Sequence, residues 1–131
     1  MSTNKATVTA EQAAVIADLL KENRQHLEAL ERALDVERRT LTAAPFVIGF
    51  PQYGIYCDIR ADEWGVVRKV NTNGIRYATR LSREDADRLT RNGNIRNGNG
   101  ETAVVVGYTD ALAKQVEGMR EIIADLASYL D

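Results

Sequence analysis

Arginines with aromatic neighbours are the residues of this sequence whose types and spacing could bind a ligand. The candidates are four arginines, two aromatic residues and one loop amide: Arg60, Arg76, Arg80, Arg96, Tyr56, Trp64 and Asn97. A guanidinium forms paired, charge-assisted hydrogen bonds with phosphates and carboxylates. Aromatic and guanidinium planes also stack on the rings of nucleotides. This pattern predicts a site for a small anionic ligand such as a nucleotide.

Two of these arginines are predicted to share one face of a strand. Alternation over residues 75–81 places Arg76 and Arg80 opposite the apolar side, where together they could hold two phosphates or carboxylates. Arg60, on a strand that can pair nearby, could add a third charge. The alternative is structural, because helices that cover a sheet can offer acidic partners to such arginines. The acids considered are Glu28, Glu31, Glu117 and Glu121. The sequence leaves both interpretations open.

The loop Asn92–Gly100 contains three glycines, which free the backbone for positive φ and could form an anion-binding nest with Arg91 and Arg96. It lacks the Lys-Ser/Thr pair of a Walker loop and leads into a strand, so it is neither a P-loop nor a dinucleotide fingerprint. A flexible connection is the competing interpretation. Both remain open at this point.

Few residues of this sequence have the types and spacing that enzymes use for catalysis. His26 is the only histidine, and no serine or cysteine lies in a G-x-S-x-G context. Two of the three acids Asp58, Asp62 and Glu63 could form a carboxylate pair for acid/base work, which keeps an enzyme, acting through Asp58 and Glu63, as a third hypothesis. Cys57 is predicted to lie in the core rather than to act as a reactive thiol. We therefore expect no catalysis, no cofactor and no metal.

A long amphipathic helix is predicted over residues 9–44. Thr9 and Gln12 form a capping box, and Pro45 bars continuation. Within it, steps of four and three residues define a heptad seam. The seam consists of Ile16, Leu20, Asn23, Leu27, Leu30 and Leu34, continuing to Glu37 and Leu41. A second heptad helix is predicted over residues 109–131, with Thr109 as its N-cap.

The unequal lengths of these helices predict self-association. The first helix is about 48 Å long and the second about 32 Å, at ~1.5 Å per residue. The second helix therefore matches only part of the seam, and an exposed leucine row would mark an interface. Asn23 suits an oligomer seam because a buried polar residue fixes register. We expect a homo-oligomer, most simply a dimer, held through this seam.

The middle of the chain, residues 45–108, is predicted to be a β-rich core. Strands are expected at 46–50, 53–60, 65–70 and 75–81, with residues 71–74 as a hairpin connection. Ser82 should cap a short helix over 82–91, and the apolar run from Thr102 to Tyr108 reads as a central strand. The predicted fold class is α+β, an antiparallel β-sheet of four to five strands flanked by the two heptad helices. We expect a single domain over residues 1–131, with 1–8 as a flexible tail.

The composition indicates the cellular environment and the kinds of partner to expect. A single cysteine excludes an internal disulfide framework and predicts a reducing, cytoplasmic environment. No apolar run reaches the length of a membrane span, so we expect no membrane association. The formal net charge of −2 argues against sequence-specific nucleic-acid binding, although nine basic residues face seven acidic ones in 45–108.

An arginine-bearing sheet beside the segment Ala78–Ala86, the Asn-Gly loop, the small size and the lack of catalytic groups together resemble small phage-encoded accessory proteins. That resemblance covers the region from Gly54 to Tyr108. It implies an inhibitor of bacterial immunity in the host cell cytosol, which binds an effector protein or sequesters a small anionic nucleotide. An adaptor that oligomerises through its helices is the alternative function.

Overall fold

The computed structural model describes residues 7–40 and 42–130. Three helices and four strands follow one another: α1 (Ala10–Arg39), β1 (Phe46–Phe50), β2 (Ile55–Ala61), β3 (Val67–Asn73), α2 (Arg83–Thr90), β4 (Val104–Gly107) and α3 (Tyr108–Ser128). The predicted α+β class with an antiparallel sheet is confirmed. The chain divides into two compact units, one of residues up to Val36 with those from Lys114 onward, the other of Glu37–Ala113. Most of the predicted flexible tail, and Leu41 of the seam, lie outside the described residues.

The N-terminus of α1 is capped as predicted. The Thr9 N–H donates to Gln12 Oε1 at 2.9 Å, and the Gln12 N–H donates to Thr9 Oγ1 at 3.1 Å. This reciprocal pair satisfies two donors that a helix start leaves without partners. In the same unit, Arg120 of α3 pairs with Glu31 of α1 at 2.6 Å.

The heptad seam of α1 is buried within the single chain. Leu20, Leu30 and Leu34 are 3%, 0% and 7% exposed, and Ile16, Asn23 and Leu27 are partly buried. Asn23 Nδ2 donates to the Leu19 carbonyl of its own helix at 2.7 Å, so the helix itself satisfies this amide. The exposed leucine row from which a dimer was predicted is therefore not present. Self-association remains a prediction, but an exposed leucine row no longer supports it.

The sheet has the order β3-β2-β1-β4, and every neighbouring pair is antiparallel. Strand β1 is central, and its last four residues are buried. The prediction that Thr102–Tyr108 forms a central strand buried on both faces was wrong, because β4 lies at the edge and Val104 is 47% exposed. An apolar run indicates a strand but does not say which neighbours it pairs with.

The turn of the β2–β3 hairpin lies at the break that was expected between the strands at 53–60 and 65–70. It spans Asp62–Val66 and is closed by the Asp62 N–H donating to the Val66 carbonyl at 2.9 Å. The Asp62 carboxylate accepts the N–H groups of Trp64 and Val66, both at 2.9 Å, which fixes the turn at this position. Strand β3 continues through Asn73, paired with Tyr56. The predicted connection at residues 71–74 was wrong in all but its last residue.

The predicted strand over residues 75–81 was also wrong. Residues Ile75–Tyr77 form a turn of 3₁₀-helix, which buries Ile75 and leaves Tyr77 69% exposed. An extended segment follows, in which the Thr79 N–H donates to the Cys57 carbonyl at 3.0 Å and Thr79 Oγ1 accepts the Ile59 N–H at 2.7 Å. A side-chain hydroxyl thus takes the place of a backbone partner beside β2.

One face of the sheet carries the core of this unit. Ile48, Phe50, Cys57, Ala86 and Ala103 are buried together. Cys57 is fully buried as predicted, and burial raises the pKa of its thiol. Helix α2 supplies Ala86 to this core. Its predicted N-cap is confirmed, since Ser82 Oγ accepts the Asp85 N–H at 3.1 Å.

We predict that Gly49→Ala destabilises the protein by about 2–3 kcal/mol. An added Cβ at Gly49 would lie 2.6 Å from Tyr56 Cδ1 and 2.7 Å from the Ile55 carbonyl oxygen, inside the sheet where neither can withdraw. The control is Gly118→Ala in α3, where a Cβ meets nothing within 4 Å. That substitution should stabilise by about 0.5–1 kcal/mol. Urea unfolding of both variants checks the pair, and an unchanged midpoint for Gly49→Ala would contradict the close β1–β2 approach.

Candidate functional site

Arg80, predicted as a ligand residue, is engaged in a structural cluster. Its Nη1 donates to Glu37 Oε2 at 3.0 Å, its Nη2 donates to Glu37 Oε1, and its guanidinium carbon lies 4.0 Å from the centre of the Tyr108 ring. The structure thus favours the structural alternative for Arg80. The partner is Glu37, however, and not one of the four acids considered from the sequence.

The other predicted ligand residues are not gathered into one site. Arg60 pairs with Asp58 on its own strand at 3.1 Å, whereas Arg96 lies in the Asn/Gly loop with its Nε on the Gly93 carbonyl at 2.8 Å. Tyr56 is 4% exposed, and burial raises the pKa of its hydroxyl. A buried ring cannot stack on a nucleotide base. The structure therefore does not assemble the predicted arginine and aromatic set.

The carboxylates considered for catalysis serve local structure. Asp58 pairs with Arg60, and the Asp62 carboxylate accepts two turn N–H groups and the Arg68 Nε at 2.8 Å. These hydrogen bonds lower the pKa of Asp62 below its usual value, and the bond from the Val66 N–H has the largest effect. No described contact brings Asp58 and Glu63 together. Across residues 7–40 and 42–130, no three His, Cys, Asp or Glu side chains group as metal ligands.

Asn97 belongs to a loop ordered around a carboxylate. Its Oδ1 accepts the N–H groups of Asn99 and Glu101 at 2.9 and 3.0 Å. The Glu101 carboxylate accepts bonds from the Tyr53 hydroxyl at 2.5 Å, from Gln52 Nε2 at 3.1 Å and from Asn97 Nδ2 at 3.2 Å. These donors, the Tyr53 hydroxyl first, lower the pKa of Glu101. The backbone N–H groups of Asn99 and Glu101, which a nest would offer to an anion, are bonded to Asn97 within the loop. The side chains around the loop are directed at Glu101, a residue the sequence analysis did not single out.

A polar face of the β2–β3 hairpin exposes charged and amide side chains in the Glu37–Ala113 unit. Arg60 is paired across the strands with Lys69, and Asp58 with Asn71, so these side chains share one face. Asn73 continues that face, and all three β3 residues are exposed. Within the described part of the chain, Lys69 has no ion pair. This face thus offers an unneutralised ammonium beside two amides.

Exposed aromatic residues stand at both ends of this hairpin. Trp64 in the turn before β3 is 77% exposed, and Tyr77 in the turn after it is 69% exposed. Arg76, next to Tyr77, is exposed and makes no ion pair with any described residue. The seven residues of β3 separate the two ends by about 23 Å at ~3.3 Å per residue. We define the hairpin surface by these residues: Arg60, Lys69, Asn71, Asn73, Trp64, Arg76 and Tyr77.

The sequence analysis found Arg60, Trp64 and Arg76 of this surface and missed the others. Tyr77 was placed on the apolar side of a strand that does not form. Lys69, Asn71 and Asn73 alternate with Val70 and Thr72, a period-2 pattern with which a two-sided strand could have been predicted.

Searches of protein-family models, of curated proteins and of solved structures return no match to this chain. Among the described residues, no helix combines the length and the apolar character that crossing a membrane requires.

We predict that Glu101 contributes stability that is lost in acid. Because its folded-state pKa lies below the ordinary value of 4.5, this contribution is complete above that value and disappears as pH falls through the lowered pKa. The difference in unfolding free energy between wild type and Glu101→Gln should be largest at about pH 6 and shrink steadily below about pH 4. Urea unfolding at each pH measures it. Glu63→Gln, which removes an exposed carboxylate with no described hydrogen bond, is the control; a Glu101→Gln difference that is constant with pH would contradict the role of this carboxylate.

Proposed function

We propose that this protein is a non-catalytic binding protein that uses the hairpin surface to bind a partner protein. The observation that carries the proposal is the exposure of Trp64 and Tyr77 at the two ends of a hairpin that bears two cations, Lys69 and Arg76, without an ion pair among the described residues. Residues that dominate protein–protein binding energies are enriched in Trp, Tyr and Arg. The span of about 23 Å between the ends matches a contact patch of standard size, about 800 Å² on each partner.

Charge favours an acidic partner. The hairpin and the turn after it, residues 55–77, carry four cations against three carboxylates, a net charge of +1; the cations are Arg60, Arg68, Lys69 and Arg76, and the carboxylates Asp58, Asp62 and Glu63. The chain as a whole is acidic, with a formal charge of −2, so this surface differs in sign from the rest of the molecule. A local field of one sign speeds the encounter with a partner of the opposite sign and orients it.

Sequestration of a nucleotide has less support than protein binding. Sites for small molecules are usually concave, with a volume of about 300–1,000 Å³. Two concavities in this unit are lined by residues outside the hairpin surface, and the larger is about 320 Å³. The arginine with the closest aromatic contact, Arg80, is already paired with Glu37. An exposed face fits a macromolecule better than a nucleotide.

The resemblance to phage-encoded accessory proteins supplies a setting for this activity. We propose that the partner is an effector protein of bacterial immunity and that binding inhibits it in the host cell cytosol. An inhibitor of this kind acts by occupying a surface of its target, which requires affinity and no catalytic group. The exposed hairpin surface supports an inhibitor that binds a protein over one that sequesters a nucleotide.

A self-associating adaptor is the second candidate. Apolar side chains beside the seam support it, since Val15, Leu19 and Ile122 are 59%, 41% and 50% exposed. A groove of about 550 Å³ in the same unit is lined by Val15, Ile16 and Tyr129 among others. Exposed apolar patches of this kind often mark interfaces. An enzyme acting through Asp58 and Glu63 has no such supporting observation.

We predict that the variant Lys69→Glu/Arg76→Glu loses binding to its partner effector. A panel of purified bacterial immune effectors, immobilised for interferometry, measures the association and dissociation rates. Reversing two charges on the hairpin surface should slow association by about tenfold or more and weaken its dependence on salt. Trp64→Ala should mainly speed dissociation, by about tenfold, because it removes an aromatic side chain that the partner would bury in the complex.

The matched control is Lys21→Glu/Arg24→Glu, which makes the same charge change at two exposed positions of α1. It should bind the effector as wild type does. Calorimetry against a panel of cyclic nucleotides runs in parallel. Effector binding that survives Lys69→Glu/Arg76→Glu, or equal weakening by the control variant, would contradict protein binding through the hairpin surface.

A further inference from the structure

A small pocket lies on the other face of the β2–β3 hairpin, away from the hairpin surface. Its volume is about 180 Å³, and four of its lining residues are apolar or buried: Phe50, Cys57, Val70 and Ile95. Phe50 and Cys57 are 1% and 0% exposed, so the floor of the pocket belongs to the core. The remaining lining residues, Thr72, Asn94 and Arg96, are polar and exposed. The pocket therefore combines an apolar floor with a polar rim.

Arg96 gives that rim a cation that is held in place and not neutralised. Its Nε donates to the Gly93 carbonyl at 2.8 Å, which fixes the guanidinium and leaves its two terminal nitrogens for other partners. Within the described residues, no carboxylate pairs with it. A fixed guanidinium at the mouth of an apolar pocket favours a ligand with an anionic head and an apolar body.

The loop wall of the pocket is built by backbone pairing. Arg96 and Thr102 form a β-bridge, and the Ala103 N–H donates to the Ile95 carbonyl at 2.9 Å. Gly93 adopts φ +64°, a left-handed conformation that suits glycine, and this turn sets the carbonyl that holds Arg96. These bonds hold Ile95 and Arg96 opposite Val70 and Thr72 without a ligand. A preformed wall lowers the cost of ordering on binding.

Size and charge narrow the ligand class. At about 180 Å³ the pocket is smaller than the ~300–1,000 Å³ of most ligand sites, which favours a ligand smaller than a nucleotide. A phosphate monoester carries a charge of about −1.5 to −2, whereas a single guanidinium balances one negative charge. We propose that this pocket binds a small carboxylic acid, with the carboxylate on Arg96 and a ring or branched chain against Phe50, Cys57 and Val70.

The test uses benzoate and its neutral isostere benzamide on the full chain, followed by calorimetry. Benzoate should bind wild type about tenfold more tightly than benzamide, since a charge-assisted pair exceeds a neutral hydrogen bond by roughly that factor. Arg96→Gln should remove the preference for benzoate. Arg91→Gln, an exposed arginine of the same loop that does not line the pocket, is the matched control and should keep it.

A second readout and a second variant do not depend on Arg96. Cys57 is the only cysteine and forms the floor, so bound benzoate should slow its reaction with a thiol reagent severalfold. Thr72→Trp, which fills the mouth from a strand that tolerates aromatic residues, should abolish benzoate binding. Equal affinities for benzoate and benzamide would overturn the proposal. Unchanged benzoate binding in Arg96→Gln or Thr72→Trp, or no binding of benzoate to wild type, would overturn it as well.

Discussion

The pairing of Arg80 with Glu37, over the ring of Tyr108, is the interaction on which the architecture of the β-rich unit depends. Glu37 lies in the last turn of α1, Tyr108 begins α3, and Arg80 lies in the extended segment beside β1 and β2. The guanidinium and carboxylate side chains are 32% and 15% exposed, so each would be costly to leave without the other. Next to Arg80, Leu81 exchanges two backbone hydrogen bonds with Phe46, at 2.7 and 3.0 Å. The charge cluster thus holds an irregular segment where a strand was expected.

Features set by short-range chemistry were predictable from the sequence. The Thr9–Gln12 box, the Ser82 cap and the burial of Cys57 follow from residue types a few positions apart, and all three are confirmed. The sheet register was not predictable in this way. Strand β3 continues through residues 71–73, which were predicted as a hairpin connection, and the Thr79 hydroxyl takes the place of a strand partner where a further strand was expected. The bond from the Ile59 N–H to this hydroxyl joins a side chain to the backbone, which leaves no trace in the apolar period.

The lack of information about side-chain partners in a sequence also explains why the candidate site was predicted only in part. Arginine content drew attention to residues 45–108, but a sequence does not show whether a guanidinium already has a carboxylate partner. Arg80 has one, whereas Arg76 and Lys69 have none among the described residues. The two faces of the β2–β3 hairpin then differ in kind. One carries exposed charged and amide side chains, and the other closes a small apolar pocket with Arg96 at its mouth.

The most direct test of this account is a double-mutant cycle on Arg80→Ala and Glu37→Ala, measured as unfolding free energies. The account predicts a coupling energy of about 1–3 kcal/mol, because the pair is partly buried and charge-assisted. The exposed helical pair Arg83–Asp87 serves as reference, with an expected coupling of about 0.3–0.5 kcal/mol. A coupling between Arg80 and Glu37 no larger than that of the reference pair, with the stability of Arg80→Ala unchanged, would show that Arg80 is free to bind a ligand and would contradict the account.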